Sequence, residues 1–264
     1  MKVYISVDFE GISGSTSWSS TNLGDIEYGA LAREMTLEAV AACQGALDAG
    51  AKEIYVKDAH DSGRNMDLSL FQKEVKIIND WTCTPYSMVG GLDSTFDAVM
   101  FVGYHSPAGS SGSPLSHTMN RGNNYVKFNG ELASEFLIHA YIAASMGVPV
   151  VFLSGDQALT EHVHKYDPKI RTVAVKEGMG SATINVSPAK AQEMIREGAK
   201  EGLLRKNSCH ISLPEILTME INYKDHFRAS KASWYPGVKK IDDYTVSYTS
   251  DSIDDVMAAR MFIL

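Results

Sequence analysis

The sequence predicts an α/β fold: a mostly parallel central sheet with helices on both faces, followed by a smaller appended α+β portion. Two observations lead to this prediction. Short apolar runs alternate with helical segments through the first half of the 264 residues, as they do in parallel sheets. Segments of the second half alternate apolar and polar residues, which is typical of half-solvated strands. We expect a single domain over residues 1–264, with an α/β core at 1–165 carrying the site and an α+β extension at 166–264.

Four apolar runs in the first half predict the strands of the parallel sheet. They are short and nearly uninterrupted, as buried strands are, and they lie at residues 2–7, 54–56, 98–102 and 148–153. Helical spacing of apolar residues predicts helices at 26–49, at 131–146 and from Asp156 onward. Asp25 is expected to cap the first helix, and Gly50 to end it.

The second half is expected to add three strands and two helices. The strands are predicted at residues 173–175, 216–223 and 244–248. The helices are predicted at 188–203 and 251–263. Ser187-Pro188 opens the first of these helices as an N-cap followed by a proline at the first helical position.

The net charge argues against one class of function. Lys and Arg total 24 and Asp and Glu total 32, which gives a formal charge of −8 with neutral histidines. Because a chain of this sign repels phosphate, we expect no nucleic-acid partner. No apolar stretch approaches the roughly 20 residues of a membrane span, so we expect no membrane contact.

The cysteines indicate a reducing compartment. There are three, Cys43, Cys83 and Cys209, and no two are spaced as a metal knuckle or redox pair. A disulfide framework is therefore not expected, and a cytoplasmic location fits best. The first strand is too short for a signal-peptide core and is followed at once by acidic residues.

Acidic and histidine side chains follow three of the predicted strands. Asp8 and Glu10 come after the first strand, His60 after the second and His105 after the third. Sites in open parallel sheets form at the carboxyl ends of the strands, so these side chains are expected at one edge. They make a mixed nitrogen and oxygen set that suits Zn²⁺ or a similar divalent ion.

The Asp8 and Glu10 pair has two interpretations. Residues two apart in an extended chain face the same side, and two close carboxylates repel each other unless a cation compensates. Solvated loop acids would explain the pair about equally well, so the pair alone does not decide. Each histidine alone is also weak evidence, because most single histidines are ordinary loop or core residues.

Two further candidates lie beyond His105. His117 ends a loop rich in Gly, Ser and Pro, where it would serve as a general acid–base or as an oxyanion donor. The sequence alone slightly favours a solvent-exposed loop histidine. Glu131 and Glu135 fall at the start of the predicted helix; Glu131 is best explained as favourable charge near a helix N-terminus, whereas Glu135 is a candidate metal ligand.

The chain resembles the zinc-dependent D-aminopeptidases of the DppA type. The resemblance rests on Ser6-Val7-Asp8-Phe9-Glu10-Gly11, Asp58-Ala59-His60, Gly103-Tyr104-His105, Ser116-His117-Thr118 and Glu135 within Leu-Ala-Ser-Glu. These ordered segments cover roughly the first half of the chain, and the overall length also fits.

The resemblance implies a function and a site. The function is the release of N-terminal D-amino acids, notably D-Ala, from short D-peptides by a homodecamer. The cofactor is two Zn²⁺ per subunit, and His117 matches the catalytic histidine. The implied metal ligands are Asp8, Glu10, His60, His105 and Glu135.

Two other functions fit the same candidate residues. A dinuclear phosphoesterase uses similar His, Asp and Glu ligands, and it would hydrolyse an aryl phosphate. A non-catalytic metal-binding assembly protein would hydrolyse no short peptide. His117 argues against the non-catalytic protein, because such a protein has no use for a loop histidine that is not needed as a metal ligand.

Overall fold

The computed structural model describes all 264 residues and contains twelve strands and six α-helices. The strands are β1 Lys2–Val7, β2 Glu53–Asp58, β3 Val75–Ile78, β4 Ala98–Tyr104, β5 Asn123–Phe128, β6 Glu131–Leu132, β7 Val150–Asp156, β8 Arg171–Met179, β9 Ala182–Asn185, β10 Leu217–Tyr223, β11 Lys239–Lys240 and β12 Thr245–Ser250. The helices are α1 Tyr28–Asp48, α2 Glu135–Ser145, α3 Gln157–Val163, α4 Pro188–Leu204, α5 His226–Ala232 and α6 Ile253–Ile263. None of these helices combines the length and apolar content needed to cross a membrane.

Two sheets organise the chain. The larger has seven strands in the order β3-β2-β1-β4-β7-β8-β9, and every neighbouring pair is parallel except β8 with β9. The smaller has five strands in the order β11-β12-β10-β5-β6, all antiparallel. The predicted fold class, a mostly parallel α/β sheet with an α+β portion, is confirmed.

Helices and the smaller sheet bury the two faces of the larger sheet. Val3 and Ile5 of β1 pack in a core with residues of α1 and α4, whereas Tyr4 points into a second core with α2, α6 and the smaller sheet. This alternation follows from the two-residue period of a strand. On the second face, Phe101 of β4 meets Phe136 of α2 edge-on at 5.3 Å.

The boundary between the two sheets does not follow the predicted division of the chain at residue 165. β8, β9 and α4 extend the larger sheet, although they follow that residue. β5 and β6 precede it and yet pair within the smaller sheet. The chain therefore leaves the larger sheet for the smaller one between β4 and β7 and returns. The assignment of one domain stays a prediction.

The predicted helix at 131–146 begins four residues late. Glu131 and Leu132 form β6 instead, which pairs with β5 across a turn at Asn129 and Gly130. Both turn residues have positive φ, 49° and 89°, as tight hairpin turns require. Ser134 then caps α2 by accepting a hydrogen bond from the Leu137 N–H at 3.1 Å, so Glu135 is the first helical residue.

The N-terminus of α1 also differs from the prediction. The N-cap is Glu27, whose side chain makes no capping hydrogen bond. Asp25 is not the cap because its carboxylate accepts hydrogen bonds from the backbone and side chain of Asn22 at 3.0 and 3.2 Å. Its bonds therefore stabilise the turn before the helix and leave the helix to begin at Tyr28.

Candidate metal centre

All six predicted site residues meet in one cluster at the carboxyl edge of the larger sheet. Its members come from the ends of β1, β2 and β4, from the loop after β4 and from the start of α2. Five are buried and the sixth, His117, is nearly so. We call this set the six-residue cluster: Asp8, Glu10, His60, His105, His117 and Glu135.

Two glycines let the ends of β1 and β4 approach closely enough to bring the cluster together. A Cβ on Gly11 would lie 1.9 Å from the carbonyl oxygen of Tyr104. A Cβ on Gly103 would lie 2.3 Å from the carbonyl oxygen of Asp8, and Gly103 has a φ of +72°. Neither position tolerates a side chain, so the separation of Asp8 from His105 is set by the backbone.

Nitrogen and carboxylate oxygen atoms alternate through the cluster. His105 Nε2 lies 3.4 Å from Asp8 Oδ2 and 3.4 Å from Glu135 Oε2. His60 Nδ1 lies 3.5 Å from Asp8 Oδ1 and 3.1 Å from Glu10 Oε2. Asp8 therefore stands between two imidazoles and is the central carboxylate of the group.

His117 closes the cluster on its outer side. Its Nε2 lies 3.5 Å from Glu135 Oε1 and 4.0 Å from Glu10 Oε1. Its ring stacks on that of His105, with centroids 4.3 Å apart and planes at 6°. It also contacts the Trp18 ring, with centroids 5.1 Å apart and planes at 78°. His117 is thus held by contacts with two rings and is not the freely exposed loop histidine that the sequence alone favoured.

A backbone carbonyl fixes one ring nitrogen of each cluster histidine. His60 Nε2 meets the Thr21 carbonyl at 2.7 Å, His105 Nδ1 meets that of Ser106 at 2.9 Å, and His117 Nδ1 meets that of Leu115 at 3.0 Å. Because a carbonyl oxygen only accepts, the facing nitrogen carries the proton. In the neutral ring the other nitrogen points at the carboxylates with its lone pair available, which is the usual arrangement of a metal-binding histidine.

A divalent metal ion fits this donor set. Asp8 Oδ2, Glu10 Oε2 and His105 Nε2 are fully buried and have no hydrogen-bond partner, although buried polar atoms are nearly always satisfied. Donor atoms within 4.8 Å of one another form two groups, Asp8–Glu10–His105 and His105–His117–Glu135. Imidazole nitrogen and carboxylate oxygen are the ligands that suit Zn²⁺.

The carboxylates of the cluster differ in their affinity for protons. Burial, reinforced by the neighbouring Glu10 carboxylate, holds the pKa of Asp8 well above its usual range. Burial acts on Glu10 and Glu135 too, but nearby imidazoles outweigh it. His60 and His117 hold the pKa of Glu10 well below its usual range, and His105 and His117 lower that of Glu135 to about 2.

The histidines respond to the same crowding of negative charge. Burial opposes their protonation, but the Glu135 and Asp8 carboxylates outweigh it and raise the pKa of His105 to about 10. His60 is raised well above its usual range by Glu10 and Asp8 in the same way. The negative charge of the cluster therefore favours bound positive charge, either as protons on the histidines or as a metal ion. The pKa of His117 is lowered instead, by burial and by the like charge of His105.

Hydrogen bonds behind the cluster hold the loops that carry His60 and His105. The Asp58 carboxylate accepts from the Asn65 and Met66 backbone at 2.5 and 3.0 Å, and the Asn65 amide donates to the His60 carbonyl at 2.7 Å. Both the backbone N–H and the hydroxyl of Ser106 donate to Asp156 at 2.6 Å. The loops that carry these two histidines are therefore fixed by these bonds as well as by the bond that each ring makes.

Sequence reasoning missed the support that comes from β8. Lys176 is buried, and its ammonium group donates to the carbonyl oxygens of Glu10 and Ser15. Burial lowers its pKa to about 8, against the opposing effect of the Asp156 carboxylate. A lysine 166 residues away in the sequence gives no local signal that it holds the main chain of Glu10.

A cavity of about 370 Å³ opens beside the cluster. This lies at the small end of the range of about 300–1,000 Å³ that is usual for small-molecule sites. Sequence reasoning also missed the residues of its outer wall, since isolated loop residues carry no pattern. We call these the outer wall: Trp18, Asn22, Trp81, Asn120 and Arg121.

Comparisons with known proteins place the chain in a family. A family model described as D-aminopeptidase matches residues 1–262, which is nearly the whole chain. The chain therefore belongs to the D-aminopeptidase family of peptidases.

Two relatives are similar over the full length. A D-aminopeptidase of Bacillus subtilis (strain 168) is 30% identical over 264 residues, with 99% of this chain and 96% of that protein covered. A solved structure described as the Zn-dependent D-aminopeptidase DppA from Bacillus subtilis, a self-compartmentalizing protease, superposes with a TM-score of 0.93. It is 29% identical, and the match covers 100% of this chain and 96% of that one.

Proposed function

We propose that the chain is a dinuclear zinc aminopeptidase that hydrolyses short peptides with an N-terminal D-amino acid such as D-Ala. The observation that carries the proposal is the set of three imidazole nitrogens aimed at three buried carboxylates. Membership of the D-aminopeptidase family and the zinc dependence of the structural relative support it.

Five side chains of the cluster would hold the two zinc ions. Bound zinc would polarise the scissile carbonyl and lower the pKa of water. Asp8 is the best candidate for the shared ligand, because its two oxygens face His60 and His105 respectively. The proposed ligands are Asp8, Glu10, His60, His105 and Glu135.

His117 is the proposed catalytic residue. Its Nδ1 proton is held by the Leu115 carbonyl, so Nε2 is the atom that takes up and releases a proton. Because burial lowers its pKa, the ring is neutral near pH 7 and able to accept. Its contacts with the Trp18 and His105 rings restrain the imidazole.

Assembly into a homodecamer in the cytoplasm forms part of the proposal. The structural relative is described as self-compartmentalizing. In this chain Phe227, Trp234 and Phe262 are 61%, 86% and 69% exposed, and such apolar patches mark interaction surfaces. All three cysteines are free, as a reducing compartment requires. Light scattering of the purified protein should give the mass of ten chains; a stable monomer would contradict the assembly.

Metal analysis combined with matched substrates tests the function. Mass spectrometry should find two zinc ions per chain, and the enzyme should hydrolyse D-Ala-D-Ala much faster than L-Ala-L-Ala. An aryl phosphate, the substrate of a dinuclear phosphoesterase, should be left intact. Zinc-loaded protein that cleaves neither dipeptide would refute the proposed function.

A further inference from the structure

Arg121 is the one cationic side chain of Lys or Arg type that lines the cavity. The same cavity is lined by four carboxylates, those of Asp8, Glu10, Asp61 and Glu135. The cavity therefore has an acidic side at the six-residue cluster and a single positive group in its outer wall. A ligand with a positive and a negative end matches this distribution of charge.

The guanidinium group of Arg121 is available to a ligand. The side chain is exposed, and it makes no ion pair or hydrogen bond within the chain. Its Cζ lies over the Trp18 ring, 4.3 Å from the centroid, where the cation–π attraction limits its motion. Arg121 is thus held in place while its five N–H donors stay free, and a planar guanidinium binds a carboxylate through two parallel hydrogen bonds.

Ring contacts connect Arg121 to the proposed catalytic residue. The Trp18 ring, over which the guanidinium lies, also contacts the His117 ring, with centroids 5.1 Å apart and planes at 78°. Arg121 and the carboxylates of the cluster line the same cavity of about 370 Å³, so one bound molecule can contact both. One peptide residue spans at most about 3.3–3.6 Å, so a cavity of this size favours a peptide of two or three residues.

We propose that Arg121 binds the C-terminal carboxylate of the substrate and makes the enzyme selective for di- and tripeptides with a free carboxyl end. The inference rests on the proposed function, because it assigns a binding residue for the C-terminal end of the peptide that the enzyme hydrolyses. It predicts that the enzyme recognises both termini of a short peptide: the N-terminal residue at the cluster and the carboxylate at the outer wall.

Substrates with and without the carboxylate test this role. We would measure kcat/KM for D-Ala-D-Ala and for its C-terminal amide with the wild type and with Arg121→Gln. The wild type should prefer the acid. Arg121→Gln should lower kcat/KM for the acid about tenfold, mainly through KM, as expected for a lost charge-assisted hydrogen bond. The amide should change by less than about twofold.

Two matched variants separate this role from general charge effects. Arg64→Gln removes an exposed guanidinium that does not line the cavity, and it should leave both substrates unchanged. Lys224→Gln removes the cation of an adjoining cavity of about 230 Å³ that Arg121 also lines. If Lys224→Gln abolishes the preference for the acid and Arg121→Gln does not, the assignment of Arg121 is wrong. An equal loss on acid and amide in Arg121→Gln would also overturn it, because Arg121 would then act through Trp18 and His117.

A binding measurement keeps this inference separate from the proposed function. Calorimetric titration of D-Ala-D-Ala into His117→Ala, with and without Arg121→Gln, measures binding without turnover. The added substitution should weaken binding about tenfold, and equal affinities would overturn the role of Arg121. Failure of the wild type to cleave any dipeptide would refute the proposed function, while the titration would still decide this inference.

Discussion

The six-residue cluster and the outer wall line one cavity and are built in different ways. In the cluster each histidine is fixed by a backbone carbonyl, and the buried Lys176 fixes the main chain of Glu10. In the outer wall Arg121 is exposed and held only by its contact with the Trp18 ring.

This difference separates the chemistry from the choice of substrate. The groups of the cluster come from strand ends, from a loop and from the start of α2, and hydrogen bonds and ring contacts restrain them. Groups that contact the variable part of a substrate lie on loops, where substitutions are tolerated. Changes in the cluster should therefore affect all substrates equally, whereas changes in the wall should alter the preference between substrates.

Substitution of the central carboxylate should have the largest effect. Asp8→Asn keeps the size of the side chain but removes the charge that faces both His60 and His105. We expect loss of bound zinc, measured by mass spectrometry, and loss of activity on every peptide. Asp243→Asn, which removes an exposed carboxylate far from the cavity, is the control. An Asp8→Asn protein with its full zinc content would contradict the ligand assignment.

His117→Ala should come next and should separate catalysis from metal binding. Removal of a general acid–base typically costs about 10²- to 10⁴-fold in rate. We expect that loss in kcat, with the zinc content unchanged and an equal effect on dipeptide acid and amide. His210→Ala, at an exposed histidine away from the cavity, should behave as wild type. Unchanged turnover in His117→Ala would end its assignment as the catalytic residue; loss of zinc would make it a ligand instead.

Lys176→Met tests whether the second half of the chain supports the cluster. The substitution leaves the carbonyls of Glu10 and Ser15 without their buried donor. Because groups behind a metal site commonly tune its affinity, we expect zinc binding to weaken by about 10- to 100-fold. Competition with a chelator measures this, and Lys190→Met, at an exposed lysine of α4, is the control. Equal zinc affinity in the two variants would show that Lys176 does not support the metal site.

Glu38→Gln should give the smallest effect, on stability alone. Burial raises the pKa of Glu38 to about 8, although its Oε1 accepts a hydrogen bond from the Ser13 N–H. The pKa of Glu38 is higher in the folded chain than in the unfolded chain, so its contribution to stability is fully present at low pH. That contribution is lost as the pH rises from about 4.5 to about 8, because the unfolded chain ionises before the folded one.

The glutamine variant lacks this titration. Its melting temperature should therefore exceed that of the wild type increasingly between pH 5 and pH 8, with unchanged turnover per bound zinc. A difference in melting temperature that stays constant over this range would show that Glu38 is not held protonated.

The sequence indicated the cluster but not its surroundings. Asp8, His60 and His105 were predictable because each follows a buried apolar run, and parallel strands end at a common edge. The predicted helix at 131–146 contains Glu135, whereas the observed helix begins at that residue. The difference arises because the hairpin of β5 and β6 shows no strong alternation of apolar and polar residues.

Contacts between distant parts of the chain left no such pattern. Lys176 and Arg121 act through tertiary contacts with Glu10 and Trp18, and no periodicity or spacing encodes a contact of that kind. The return of β8 and β9 to the larger sheet was missed for the same reason, because strand order depends on packing between remote elements.

Anomalous diffraction at the zinc absorption edge, from crystals of the zinc-loaded protein, tests the central claim most directly. The claim is that five side chains of the cluster hold two zinc ions while His117 stays free for proton transfer. We predict two peaks among Asp8, Glu10, His60, His105 and Glu135, with neither bonded to His117 Nε2. No peak inside the cluster, or a zinc ion bonded to His117, would contradict the account.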